Sequence, residues 1–176
     1  MKTTIQMNRV VVPATLLIAA VLLLLTLQMR NAMAAGAVAM QVERIVKLAI
    51  MGYNSAMRSG DESQWLKYFT DNVKRQAPTG SQDGIKEFTD YYNWEFENFN
   101  ASLTTKQMII SGPVGAVEFE WDAVHKASGK QVKIDMIAVF ELASSGKFES
   151  VRFYFDPANQ AELFAGAPGA KRTAGQ

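Results

Sequence analysis

Three side chains sit where their chemistry could be used: Tyr53, Asp90 and His125. Tyr53 falls in a run of apolar residues at helical spacing, so its ring would pack inward while its hydroxyl donates a hydrogen bond to a bound carbonyl. Packing with one satisfied hydroxyl is the simpler account of such a tyrosine. Asp90 opens the aromatic cluster DYYNWEFENF at 90–99 and is a candidate pocket carboxylate. The plainer reading is a polar helix face, because Asp90, Asn93 and Glu97 recur three and four apart. His125, the single histidine, is a candidate general base, yet it lies beside Lys126 and the ASGK turn at 127–130, with no acidic partner placed for it. Asp156 closes the stretch SSGKFESVRFYFD at 144–156, but the alternation of that stretch turns it away from the side holding Val151, Phe153 and Phe155.

Composition narrows the chemistry further. The 176 residues contain no cysteine, so disulfides, thiolate ligands and cysteine nucleophiles are excluded. One histidine leaves little basis for a zinc site or a Ser-His-Asp arrangement, and no metal or cofactor is expected. The formal charge of +1 is uneven: after residue 34 there remain 15 basic against 17 acidic residues, so no nucleic-acid surface is expected.

The elements that must position these residues follow from periodicity. After the basic start MKTTIQMNR, residues 10–27 are uncharged and apolar, long for a signal-peptide core and at the lower limit for a membrane span. Ala32-Met33-Ala34 supplies an A-x-A cleavage pattern, so residues 1–34 are expected to be a signal peptide cleaved near Ala34, with the domain periplasmic or secreted. The alternative is a membrane anchor in which residues 10–29 stay uncleaved and the domain lies outside the cytoplasm.

Apolar spacing predicts an amphipathic helix over 38–57, stopped by Gly60, and a short helix capped by Asp61 that carries Trp65, Leu66 and Phe69 inward. Residues 71–84, rich in Pro, Gly and polar side chains, read as a loop. A third helix is expected over about 85–99, with Ile85, Phe88, Tyr92, Phe96 and Phe99 on one face. Strict alternation then predicts three strands, around 117–123, 134–142 and 151–156, joined by tight turns into consecutive antiparallel pairs. Their outer face would set Glu118, Glu120 and Asp122 against Lys130, Lys133 and Arg152. The fold class is α+β: three helices packed in a curved antiparallel sheet, preceded by the apolar N-terminal helix. A domain over 38–157 is followed by an expected disordered tail, 158–176, entered through a helical turn at NQAELF.

With that order established, YNSAMRSGDESQWLKYFTDNV at 53–73 and GKFESVRFYFD at 146–156 resemble the start and end of a SnoaL-like, nuclear transport factor 2-like domain. The resemblance covers about residues 40–157 and implies a cone-shaped barrel with an apolar pocket at its open end, and pairing through the outer sheet face. The superfamily includes isomerases, cyclases and dehydratases beside members without catalysis, so function has to come from the site. Tyr53 matches the oxyanion-binding tyrosine of the ketosteroid isomerase pattern. The base and second oxyanion positions of that pattern fall on Ala77 and Ala138, which cannot transfer protons.

The expected pocket wall is Tyr53, Trp65, Phe69, Phe88, Phe119, Trp121, Met136, Ala138, Phe153 and Phe155, suited to a small hydrophobic molecule. The leading expectation is an exported homodimer that binds such a molecule with no established catalysis. The alternatives are an isomerase, cyclase or dehydratase using Tyr53 with Asp90 or His125, and a protein–protein assembly module.

Overall fold

A computed structural model describes residues 14–157 and 161–169. The basic start and the first apolar residues of the N-terminal segment lie outside the described residues. The chain divides into two units, residues 1–37 and 38–176.

Helix α1 (Ala14–Ser59) begins in the first unit and continues into the second. Two separate segments were expected from the pattern, an apolar one and an amphipathic one. They form one helix because the residues between them are alanine-rich and free of proline, which favours helical continuation. In the first unit Leu22–Leu25, Leu27, Met29 and Met33 are exposed. By length and composition α1 can cross a membrane, a property it shares with signal sequences.

In the second unit α1 buries Val42, Val46, Ala49, Tyr53 and Ala56 on one face, as its spacing predicts. Gly60, at φ 73°, ends it in the left-handed conformation that suits glycine. Asp61 caps the next turn: its Oδ1 accepts from the Ser63 amide at 3.1 Å and the Ser63 hydroxyl at 2.6 Å, and its Oδ2 from Gln64 Nε2 at 3.3 Å. Helix α2 (Ser63–Leu66) follows, with Trp65 buried.

The region read as a loop at 71–84 is instead a hairpin, β1 (Phe69–Ala77) and β2 (Gly80–Asp83). Only Pro78 and Thr79 make its turn, with Ala77 registered on Gly80. Polar residues dominate β1, yet Val73, Arg75 and Ala77 alternate inward. Helix α3 (Ile85–Asn98) lies where its stripe predicts. The chain then runs through β3 (Phe99–Ser111), β4 (Val114–His125), β5 (Gln131–Leu142), β6 (Phe148–Tyr154) and the single turn α4 (Ala161–Phe164). Strand β3 was not expected, because its centre, Thr104 to Gln107, is polar and exposed and carries no apolar alternation.

The six strands form one sheet in the order β2-β1-β6-β5-β4-β3. The β4, β5 and β6 pairs are antiparallel as expected. Strand β1, however, runs parallel to β6, so the sheet is mixed rather than wholly antiparallel. The crossover is geometric: β1 enters the sheet before α3 and is joined to β6 only through the rest of the domain.

Inward positions of β4 and β5 match the alternation, with Val117, Phe119, Trp121, Ile134, Met136 and Ala138 buried. Gly115 lets α1 approach β4: a Cβ there would lie 3.2 and 3.3 Å from methyl carbons of Val42 and Val46. On the outer face Lys133 bridges Glu120 at 3.1 Å and Asp122 at 2.8 Å. The second pairing there joins Lys106 on β3 to Asp135, rather than using Lys130 or Arg152. The segment assigned to the tail packs back as far as Ala167: Phe164 and Ala167 are buried, and the Pro168 carbonyl accepts from Gln82 Nε2 at 2.7 Å.

Candidate functional site

Inside the second unit, α1, β1, α3 and the inner sheet face leave a partly enclosed cavity of about 40 Å³. A water needs roughly 10–15 Å³ by this measure, so the space holds about three waters and is smaller than the ~150 Å³ that admits benzene. Seven of the expected wall residues line it: Tyr53, Trp65, Phe119, Trp121, Met136, Phe153 and Phe155. Phe69, Phe88 and Ala138 do not; they are fully buried in the surrounding core. Phe69 and Phe88 pack on each other with ring centroids 4.5 Å apart.

The polar part of the lining comes from four elements. Tyr53 of α1 donates its hydroxyl to Glu95 Oε1 of α3 and accepts from Trp121 Nε1 of β4 at 2.8 Å. Glu95 is buried because it stands seven residues after Phe88 and three after Tyr92, on the inward stripe of α3. Burial lifts its carboxyl pKa above the ordinary value; the Tyr53 hydrogen bond and the Arg75 charge oppose the shift without cancelling it. Burial, reinforced by Glu95, likewise holds the Tyr53 phenol well above its ordinary pKa, so it stays a donor.

Arg75 of β1 is 4% exposed. Its guanidinium lies 3.7 Å from the centre of the Tyr91 ring and 5.1 Å from that of Phe153, and Nη1 donates to Gln82 Oε1 at 2.8 Å. The Arg75 Nε is buried without a hydrogen-bond partner.

The other two candidates lie elsewhere. Asp90 is on the outer side of α3, half exposed, and pairs with Lys86 at 2.7 Å. His125 ends β4, where Nδ1 lies 2.8 Å from Ser128 Oγ and the ring packs 5.2 Å from that of Phe99. Tyr53, Asp90 and His125 therefore do not converge, because the polar-face reading of Asp90 and the strand-end reading of His125 both hold. Asp156 is exposed, as its phase predicts. Ala77 and Ala138, at the two isomerase positions, are buried side chains without polar atoms. Among the described residues, no group of three or more His, Asp or Glu side chains could hold a metal.

Arg75, Glu95 and Tyr91 were missed. The signals were present: a charge in phase with Val73 and Ala77, and an acid in phase with Phe88 and Tyr92. Phe164 was missed as a lining residue because it lies in the segment assigned to the tail.

An aromatic cavity inside a helix-and-mixed-sheet unit, with its polar groups drawn from the first and third helices and the first and fourth strands, defines a cone-type domain. The SnoaL-like domain profile matches residues 50–151, more than half of the chain, and the protein belongs to that family. Solved structures agree on the fold. A SnoaL-like polyketide cyclase, provisionally so named, from Jannaschia sp. CCS1 is 17% identical, with a TM-score of 0.62 over 74% of this chain and 96% of its own. An NTF2-like protein from Anabaena variabilis is 15% identical, TM-score 0.58, over 66% and 90%. One from Burkholderia xenovorans is 18% identical, TM-score 0.57, over 74% and 97%. At these identities the likeness establishes the fold alone. No curated protein matches the sequence significantly.

Proposed function

We propose that the protein is an exported SnoaL-like domain that binds a small amphipathic molecule inside the cone. The observation that carries this reading is the partly enclosed aromatic cavity on which the Tyr53–Glu95–Trp121 hydrogen bonds and the Arg75 guanidinium converge. Buried polar groups in an apolar cavity are costly to keep, and a ligand that uses them accounts for their presence. The volume of about 40 Å³ accommodates a head group. The apolar remainder would extend toward Phe153, Phe155 and Phe164 as they shift. Catalysis by Tyr53 with Asp90 or His125 has no geometric support, since only Tyr53 reaches the cavity.

Export rests on the long apolar N-terminal helix and the A-x-A pattern. The boundary between the two units follows Ala37, just past Ala34, so cleavage there would leave the packed domain whole. Native mass spectrometry of protein taken from its exported location tests the reading: a bound small molecule is expected, and ligand-free protein that also ignores a library of small amphipathic compounds would refute it.

A second reading, an assembly module, draws on a different surface. Ile109 and Ile137 are 62% and 45% exposed on the outer sheet face around Ala116, an apolar patch suited to homodimer pairing. Sedimentation of the Ile109→Glu, Ile137→Glu double variant checks it, with a shift from dimer to monomer as the expected result and an unchanged profile as the contrary one.

A further inference from the structure

We propose that the cone is a site for small carboxylic acids, with the ligand carboxylate held by Arg75 and its apolar tail against the aromatic wall. This rests on the small-molecule reading above and names the ligand class. Arg75 is buried, lines the cavity, and has no carboxylate within ion-pair distance among the described residues. A guanidinium withdrawn from water is normally paired with an anion, because its desolvation is otherwise uncompensated. Here its direct contacts are the Tyr91 ring beneath it, the Tyr92 side chain and the Gln82 amide at Nη1, with Nε left over, and Glu95 acts on it only from beyond ion-pair distance.

Glu95 does not fill that role. Its carboxyl is engaged by the Tyr53 hydroxyl, and it forms no ion pair with Arg75.

The planar guanidinium fork suits a carboxylate, and the cavity of about 40 Å³ is the size of such a head group and too small for a bulky phosphate ester. The guanidinium carbon lies 3.7 Å from the centre of the Tyr91 ring, a cation–π contact that holds the side chain in the cavity wall.

The test uses the purified chain with butyrate, hexanoate and benzoate, each against its uncharged amide, followed by the fluorescence of the cavity residues Trp65 and Trp121 and by calorimetry. Acids are expected to bind at least tenfold more tightly than their amides. The Arg75→Met variant should lose that preference and keep amide binding, while Arg75→Lys, which keeps the charge without the fork, should fall between. The acid-against-amide comparison on the unaltered protein stands even where a variant fails to fold. Equal binding of acids and amides overturns the carboxylate assignment and leaves the small-molecule reading intact. Absence of binding by every acid and amide overturns both.

Discussion

At the scale of single residues, the interior is organised by Glu95. It is the one buried carboxylate among the described residues, and it accepts a hydrogen bond from the Tyr53 hydroxyl. Its folded pKa is raised above the ordinary 4.5. The associated stability is therefore fully present below that unfolded value and is lost as pH rises through the folded one. Glu95→Gln should remove this loss while keeping an acceptor for Tyr53. Urea midpoints measured from pH 4 to 8 are expected to fall for the unaltered protein and to stay flatter for the variant; parallel curves would count against a raised pKa. Tyr53 was legible from the sequence because a tyrosine on an apolar helical stripe is a recognisable pattern. Glu95 was not singled out because a glutamate in a helix ordinarily points to water, and only its phase with Phe88 and Tyr92 says otherwise.

At the scale of elements, close packing sets the tolerances. At Gly52 a Cβ would lie 2.3 Å from the Gln64 carbonyl oxygen and 2.8 Å from a Tyr68 ring carbon, which is where α1 meets the α2 turn. Gly52→Ala gains helix propensity of about 1 kcal/mol, but the backbone clash outweighs it, and a net loss of about 1–3 kcal/mol is expected from denaturant unfolding. A more stable variant would show that α1 and α2 do not touch there. Phe164 is 6% exposed and stacks on Phe99 with ring centroids 5.8 Å apart. Phe164→Ala should cost about 3 kcal/mol and enlarge the cavity; calorimetry with no change in Tm would mean that α4 does not dock. Helices and strands β4, β5 and β6 were readable because each buries one regular stripe. Strands β1 and β3 were hidden: the inward set of β1 includes a charge, and β3 exposes polar residues along its middle.

At the scale of the whole molecule, α1 joins an apolar N-terminal unit to the SnoaL-like domain within one continuous helix. Hydropathy shows the apolar segment, and the three residues at 32–34 supply the cleavage pattern. Intact mass of the protein from its native cells decides the fate of that segment: a chain beginning at Ala35 is the outcome expected of a signal peptide, and one retaining residues 1–34 that of an anchor. The architecture of the domain was largely evident from the order of its periods. The parallel β1–β6 pair was not, because pairing between distant strands leaves no local mark.

That pair also governs when the domain can form. Phe69 registers on Phe148 and Gln76 on Arg152, partners about 80 residues apart in sequence. Loop closure of that length slows folding relative to local hairpins. Strands β1 and β2 cannot join the sheet until β6 has been synthesised, close to the end of the chain. A nascent chain paused before Phe148 thus lacks the strand that joins the β1–β2 hairpin to the rest of the sheet.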